Sequence, residues 1–325
     1  MRSPADAACG WFVHVSCVFA YGTCSRPLKI TWHQNTPSCI FRDIPICCNR
    51  RLAEVYLLDS KMKEHYPDSR PDVAGDIRRP MQVDFMICGT QKGGTTALDS
   101  YLRCHESICM ADEKECHYFD NDVYFPPEGP NYDQYHSFFR PTESTRIIGE
   151  ATPVYMYWYD CPRRIWEYNR RCKIVVLLRN PIERAYSHWN METSRGDETL
   201  AFFDAIVSEQ ERSRADLPHQ HRIYSYVDRG FYLEQLRRLW FYFGCDNVLA
   251  IKSELLKAEP LSQLNRVCDF LGLDRFRSIE PQLVFAREYN STIGATERRY
   301  LSDVYRYEIQ SLEARLGWDC SDWLA

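Results

Sequence analysis

The pattern of apolar and polar positions changes character near residue 80. Up to Arg79 no stretch keeps a helical or strand period, and the segment ends in a polar, turn-rich run, HYPDSRPDVAGDIRRP. From Met81 onward apolar runs and amphipathic stretches alternate. Val83–Gly89 (VDFMICG) has strand length and leads through a Gly/Thr turn into a helical stretch over about Thr95–Arg103. A Pro/Gly loop (Pro126–Pro130), a Tyr/His/Phe-rich helix around Asp133–Phe139 and a short strand near Arg146–Gly149 come next. Lys173–Arg179 (KIVVLLR) is a continuous apolar run, as in a strand buried on both faces. Asn180-Pro181 then supplies an N-cap and a first helical residue. Val227–Phe243 reads as an amphipathic helix, Asn247–Lys252 as a strand, and Pro260–Leu271 and Thr296–Leu316 as helices. This alternation predicts an α/β domain with a central, mainly parallel sheet and helices on both faces. Ligands of such sheets bind at the carboxyl ends of the strands. Residues 1–80 read as a poorly structured, Cys-containing extension and residues 81–325 as the folded domain. A mistaken start site upstream of the domain would look the same.

Composition narrows the classes. The 325 residues are 45% hydrophobic and 14% aromatic, which excludes disorder and low-complexity architectures. A formal net charge of -5 removes the electrostatic footprint of a nucleic-acid binder. The 15 cysteines contain no C-x-x-C pair, and Cys104, Cys109 and Cys116 fit no zinc spacing, so reduced thiols and no metal site are expected. His219 and His221 lie in a polar loop (ADLPHQHR) and read as solvated. The apolar run Gly10–Gly22 is too short for a membrane helix. A cytoplasmic location is expected, with a signal or anchor over residues 10–22 as the other reading.

Candidate chemistry stands at two strand ends. Gly89-Thr90-Gln91-Lys92-Gly93-Gly94-Thr95-Thr96 has the G-x-x-x-x-G spacing of a phosphate-binding loop, but Thr95 occupies the place of the usual lysine, which lies earlier at Lys92. Glycines let backbone amides face an anion, and the helix that follows adds its positive end. No apolar strand ends in an Asp suited to hold Mg²⁺. Arg179 closes the second buried run, and Ser187 follows two helical turns later. An arginine fork and a hydroxyl so placed can grip a second phosphate. A salt bridge and a helix-surface serine would leave the same pattern.

Lys92–Thr96 followed by Arg179–Ser187 resembles the paired phosphate-binding elements of sulfotransferases that use 3′-phosphoadenosine 5′-phosphosulfate (PAPS). Between them, Lys114-Glu115-Cys116-His117-Tyr118-Phe119-Asp120 is similar to the K-E-x-H-[FY]-F-D segment of heparan-sulfate-type and bacterial carbohydrate sulfotransferases. Gly149-Glu150-Ala151-Thr152-Pro153-Val154-Tyr155 resembles their G-E-x-[ST]-P-x-Y element, and Arg229-Gly230-Phe231-Tyr232 and Phe270-Leu271-Gly272-Leu273 match in order. The resemblance runs from about Val83 to Trp323.

It implies a P-loop-like three-layer fold over residues 81–325 and an in-line transfer of a sulfuryl group from PAPS, leaving 3′-phosphoadenosine 5′-phosphate (PAP). The acceptor is a hydroxyl or amine of a carbohydrate or small molecule, and no metal is required. Glu115 is implied as the base, with His117 as the other candidate or as the residue that orients Glu115. Lys92 would stabilise the leaving oxygen, Gly93, Gly94, Thr95 and Thr96 would hold the 5′-phosphosulfate, and Arg179 and Ser187 the 3′-phosphate. Burial beside Tyr118 and Phe119 is expected to raise the pKa of Glu115. Heparan-type enzymes carry a lysine where this chain has Ala151, whereas bacterial-type relatives read G-E-A-[ST]-P there. Tyr155, Tyr157, Trp158 and Tyr159 form an aromatic cluster that suits core packing or the stacking of a sugar. An ATP-dependent phosphotransferase and an inactive nucleotide-binding module are the alternative readings.

Overall fold

The computed structural model describes residues 81–280 and 292–324. The expected extension over residues 1–80, and the Gly10–Gly22 run within it, lie outside the described residues.

Five strands, β1 (Phe85–Gly89), β2 (Ile108–Met110), β3 (Ile147–Ala151), β4 (Lys173–Leu178) and β5 (Val248–Lys252), form one sheet in the order β2-β3-β1-β4-β5. Every pairing is parallel, with Ile87 opposite Ala151 on one side and Val175 on the other. The helices are α1 (Thr95–Leu102), α2 (Tyr132–His136), α3 (Asp160–Tyr168), α4 (Pro181–Arg195), α5 (Phe202–Val207), α6 (Glu209–Arg212), α7 (Tyr232–Phe243), α8 (Ser253–Ala258), α9 (Pro260–Leu271) and α10 (Ala295–Leu316).

The period of two along a strand sorts its side chains into two cores. Met86, Cys88, Ile174, Val176 and Leu178 pack on one face with Ile165 of α3, Ile182 and Ala185 of α4, Leu236 of α7 and Ile309 of α10. Phe85, Ile87, Val175, Leu177 and Ile251 pack on the other with Leu98 of α1, Leu256 of α8 and Val267 of α9. Both faces are covered, which explains why β1 and β4 read as unbroken apolar runs. The described cysteines are all free thiols, with Cys88, Cys161, Cys172, Cys268 and Cys320 buried. Among the described residues no helix is long and apolar enough to cross a membrane.

One expected boundary needs correction. The helix expected from Val227 begins at Tyr232, after a 3-10 turn over Asp228–Gly230. Tyr305 Oη donates to the carbonyl of Val227 at 2.7 Å, and a Cβ on Gly230 would sit 2.4 Å from that same oxygen. The chain is pinned against α10 there and cannot yet coil. Strand β2 escaped notice because three residues carry no period, and α3 because Pro162 interrupts the pattern although a proline in a first turn is tolerated.

The start of α4 forms as expected. Asn180 Oδ1 accepts from the N–H of Ile182 at 2.9 Å, with Pro181 as the first helical residue, and Asn180 Nδ2 donates to the carbonyl of Trp323 at 3.3 Å. Asn180→Ala removes the cap and that tie, and should cost about 1–2 kcal/mol in urea denaturation. An unchanged midpoint would show that the cap is replaceable by water.

Candidate active site

The strand order places the loops after β1, β3, β4 and β5 along one carboxyl edge. The loop after β1 is drawn down onto β4, because Thr90 N donates to the carbonyl of Leu177 at 2.9 Å and Gly93 N to that of Thr90 at 2.8 Å. A Cβ on Gly93 would stand 2.7 Å from the Leu177 oxygen, a backbone atom that cannot yield. Gly94, with φ 93°, is the N-cap of α1 and supplies no side-chain cap. The first amides of α1 are thus left to meet an anion, with Thr95 buried and Thr96 exposed beside them.

Other elements close on this loop. Arg179 Nη1 donates to the carbonyl of Lys92 at 3.2 Å, and Tyr232 Oη holds the carbonyl of Arg179 at 2.8 Å. Lys92 Nζ lies 3.6 Å from the sulfur of Met191 on α4. Ser187, in the second turn of α4, is buried. Ser253, where β5 passes into α8, donates from Oγ to the carbonyl of Gly93 at 2.7 Å. Arg229 donates from Nη1 to Gln91 Oε1 at 2.9 Å, with its guanidinium 4.5 Å over the ring of Tyr157. It is only 2% exposed, and among the described residues no carboxylate lies within ion-pair distance of it. Burial pulls its pKa down to about 10.

The second cluster is the turn over residues 114–120. Glu115 N donates to the carbonyl of Ala151 at the end of β3, at 3.0 Å, so the turn stands beside the strand neighbouring β1. Glu115 and His117 adopt left-handed backbone with φ of 66° and 49°. The buried hydroxyl of Tyr155 accepts from the amides of Tyr118 at 3.0 Å and Phe119 at 3.3 Å. His117 is shared between two carboxylates, with Nε2 3.6 Å from Glu115 Oε2 and Nδ1 3.0 Å from Asp120 Oδ2. Asp120, wholly buried, also accepts from Arg222 Nη1 at 2.7 Å.

The protonation states follow. Hydrogen bonds to Asp120 and then Glu115 raise His117 to about 9, against burial. Glu115 does not have the raised value expected of it. Burial does push it up, but the hydrogen bond from His117 and the adjacent Lys114 ammonium outweigh this and hold it at about 2. Beneath the turn, burial pushes Glu150 up to about 7.

The structure brings Lys92, Gly93, Gly94, Thr95, Thr96 and Arg179 together at the ends of β1 and β4, and pairs Glu115 with His117 at the end of β3. Sequence reasoning missed Ser253, Gln91 with Arg229, and the Asp120–Arg222 pair. Asp120 stood inside a quoted motif, and a serine just past a strand end was a visible, unspecific signal. Arg222 gave none, because its partner lies 102 positions away. Of the aromatic cluster, Tyr155 and Tyr157 are core, whereas Tyr159 is exposed. His221 is part of its loop's framework, accepting at Nδ1 from the amides of Ile223 and Tyr224. Among the described residues no group of three His, Cys, Asp or Glu side chains could hold a metal ion.

The fold and edge define a parallel α/β protein whose first loop offers backbone amides and cations to an anion, beside a carboxylate–imidazole pair. The sulfotransferase domain family matches residues 82–293, and the chain belongs to that family. It is 27% identical to human heparan sulfate glucosamine 3-O-sulfotransferase 3B1, over 71% of this chain and 57% of that protein. It is 31% identical to mouse heparan sulfate glucosamine 3-O-sulfotransferase 6, over 63% of this chain and 56% of that protein. The chain thus spans about half the length of these curated relatives. A solved sulfotransferase from Alicyclobacillus acidocaldarius superposes with a TM-score of 0.64 at 27% identity, covering 76% of this chain and 100% of that one.

His117 should titrate near pH 9 when its ring protons are followed by NMR, and Asp120→Asn should bring it down towards the ordinary 6.5. A folded value above the ordinary one stabilises the turn fully below about pH 6.5, and that stabilisation is lost as pH rises through about 9. A wild-type titration near 6.5 would show that the ring is not held as drawn.

Proposed function

We propose that residues 81–325 transfer a sulfuryl group from PAPS to a hydroxyl or amine of a carbohydrate or small-molecule acceptor. The observation that carries this reading is the uncapped loop at β1 standing one strand away from the Glu115–His117 pair at β3. The residues fit the donor. Amides from Gly94 onward and the Thr95 and Thr96 hydroxyls suit the 5′-phosphosulfate, Arg179 and Ser187 suit the 3′-phosphate, and the buried Arg229 leaves positive charge beside the loop with no carboxylate partner among the described residues. When bound, the donor supplies a sulfuryl group already joined to a good leaving group. Membership of the sulfotransferase domain family favours this donor over ATP.

The chain's own work is to orient, to neutralise charge and to take a proton. Lys92 faces the charge that develops on the leaving oxygen. Glu115, ionised across the neutral range, is open to an acceptor from solvent. His117, protonated below about pH 9, cannot serve as the base there, so it orients Glu115 and balances its charge.

Two measurements test this. PAP should bind 30- to 1000-fold more tightly than 5′-ADP in calorimetry without Mg²⁺, which corresponds to roughly 2–4 kcal/mol from the charge-assisted bonds at the 3′-phosphate. Equal or Mg²⁺-dependent binding would overturn the donor. In a labelled-PAPS transfer assay against carbohydrate, hydroxyl and amine acceptors, Glu115→Gln should lose roughly 10²-fold or more. With Glu115 as base, wild-type turnover stays level through neutrality and falls as pH passes about 9, where His117 loses its proton. A rate that instead climbs through that pH would transfer the role of base to His117.

A further inference from the structure

The buried carboxylate of Asp120 carries two cationic partners, both within reach of its Oδ2. His117 Nδ1 reaches it from within the same turn, and Arg222 reaches it from a loop 102 residues further along the chain. The guanidinium makes two bonds, from Nη1 to Asp120 Oδ2 at 2.7 Å and from Nη2 to the Asp120 carbonyl at 2.6 Å. It therefore holds the side chain and the backbone of the same residue, a restraint that a planar fork can impose and a lysine cannot.

Arg222 is itself firmly placed. Its guanidinium lies 4.7 Å over the ring of Trp158, and its carbonyl accepts from Arg229 Nη2 at 2.8 Å. Gln220, two residues before, accepts from the amide of Tyr159 at 3.0 Å and donates to the carbonyl of Tyr157. The polar loop is thus fixed to the aromatic stretch that follows β3. His117 is paired directly with Glu115 and Asp120; Lys114 acts on the first of these carboxylates, Arg222 of this loop on the second, and Glu150 of β3 lies near Asp120. Arg164 of α3 caps the adjacent carbonyl of Phe119 at 2.9 Å.

We propose that Arg222 is a positioning residue of the reaction: it locks Asp120 from outside the turn and tempers the charge that Asp120 offers to His117, so that the imidazolium keeps its place between Asp120 and Glu115. The inference rests on the reading of Glu115 and His117 as the pair that handles the acceptor's proton. The physical consequence has a definite sign. Taking Arg222 away removes a nearby like charge from the imidazolium and leaves the Asp120 carboxylate less neutralised, and both effects favour protonated His117.

The test is the NMR titration of His117 in the full chain, which needs no acceptor. In Arg222→Gln the midpoint should move to higher pH by roughly half a pH unit or more. In Arg222→Lys, which keeps the charge and loses the fork, it should stay close to wild type. With Asp120→Asn already present, adding Arg222→Gln should shift it far less. The circular dichroism spectrum and the titrations of the other histidines should be unchanged in Arg222→Gln, which shows that the variant is folded. An unmoved midpoint in Arg222→Gln would reduce Arg222 to a surface clamp, and a downward shift would mean that Asp120 had let go of the ring. Either result overturns the proposal. Because the readout involves no turnover, its failure leaves the PAP and Glu115→Gln tests standing, and their failure leaves the titration standing.

Discussion

One rung of the sheet governs the rest of the molecule. Past the end of β1, the amide of Thr90 still bonds to the carbonyl of Leu177 on β4, and the loop that follows is shaped by that bond. It brings Gly93 so close to the same carbonyl that no side chain fits, and it delivers Gly94 in the left-handed conformation that opens α1. The register of β1 between β3 and β4 then decides which loops are neighbours. Arg179 leaves β4 beside Lys92, and the turn carrying Glu115 hangs from Ala151, the partner of Ile87. Displacing β1 by one residue would exchange its two buried faces and draw the loop away from both.

The charge distribution around this edge is uneven in a way that folding alone does not reward. Arg184 and Arg229 are both buried, and among the described residues their guanidinium bonds run to neutral oxygens: the Tyr226 carbonyl for Arg184, and Gln91, Ser225 and the Arg222 carbonyl for Arg229. A buried cation without a counter-anion costs several kcal/mol in desolvation, on the order of what a whole domain has to spare. The 114–120 turn solves the same problem differently, by alternating charge as Glu115, His117, Asp120 and Arg222. One cluster is electrostatically complete as it stands. The other has room for an anion, which is the physical ground for the donor proposed above.

The fold was legible because β1 and β4 are buried on both faces and advertise it in unbroken apolar runs, and because Asn180-Pro181 caps a helix by local chemistry alone. The turn from Gly89 to Gly94 was legible for a similar reason, since glycine spacing records a backbone requirement. What the chain concealed depended on distant partners. The helix start moved from Val227 to Tyr232 because Tyr305 pins that stretch. The proton affinity of Glu115 was misjudged for a local reason: Lys114 and His117 stood in the same motif, but only the left-handed backbone of the turn shows that both charges face its oxygens.

Lys92, Glu115 and His117 are the only described non-glycine residues with left-handed backbone. Each such residue costs roughly 1–2 kcal/mol against an ordinary conformation. None is left to hold that conformation alone. Lys92 is fixed through its carbonyl by Arg179, Glu115 through its amide by Ala151, and His117 by Asp120 on its ring and by Tyr155 on the two amides that follow it. A glycine at any of the three would relieve the cost and lose the side chain. The chain instead keeps an amine, a carboxylate and an imidazole at these positions and surrounds them with restraints. Strain held this way is expected where the direction of a side chain matters more than the stability of its turn, and here it falls on the three residues for which the chemistry is proposed.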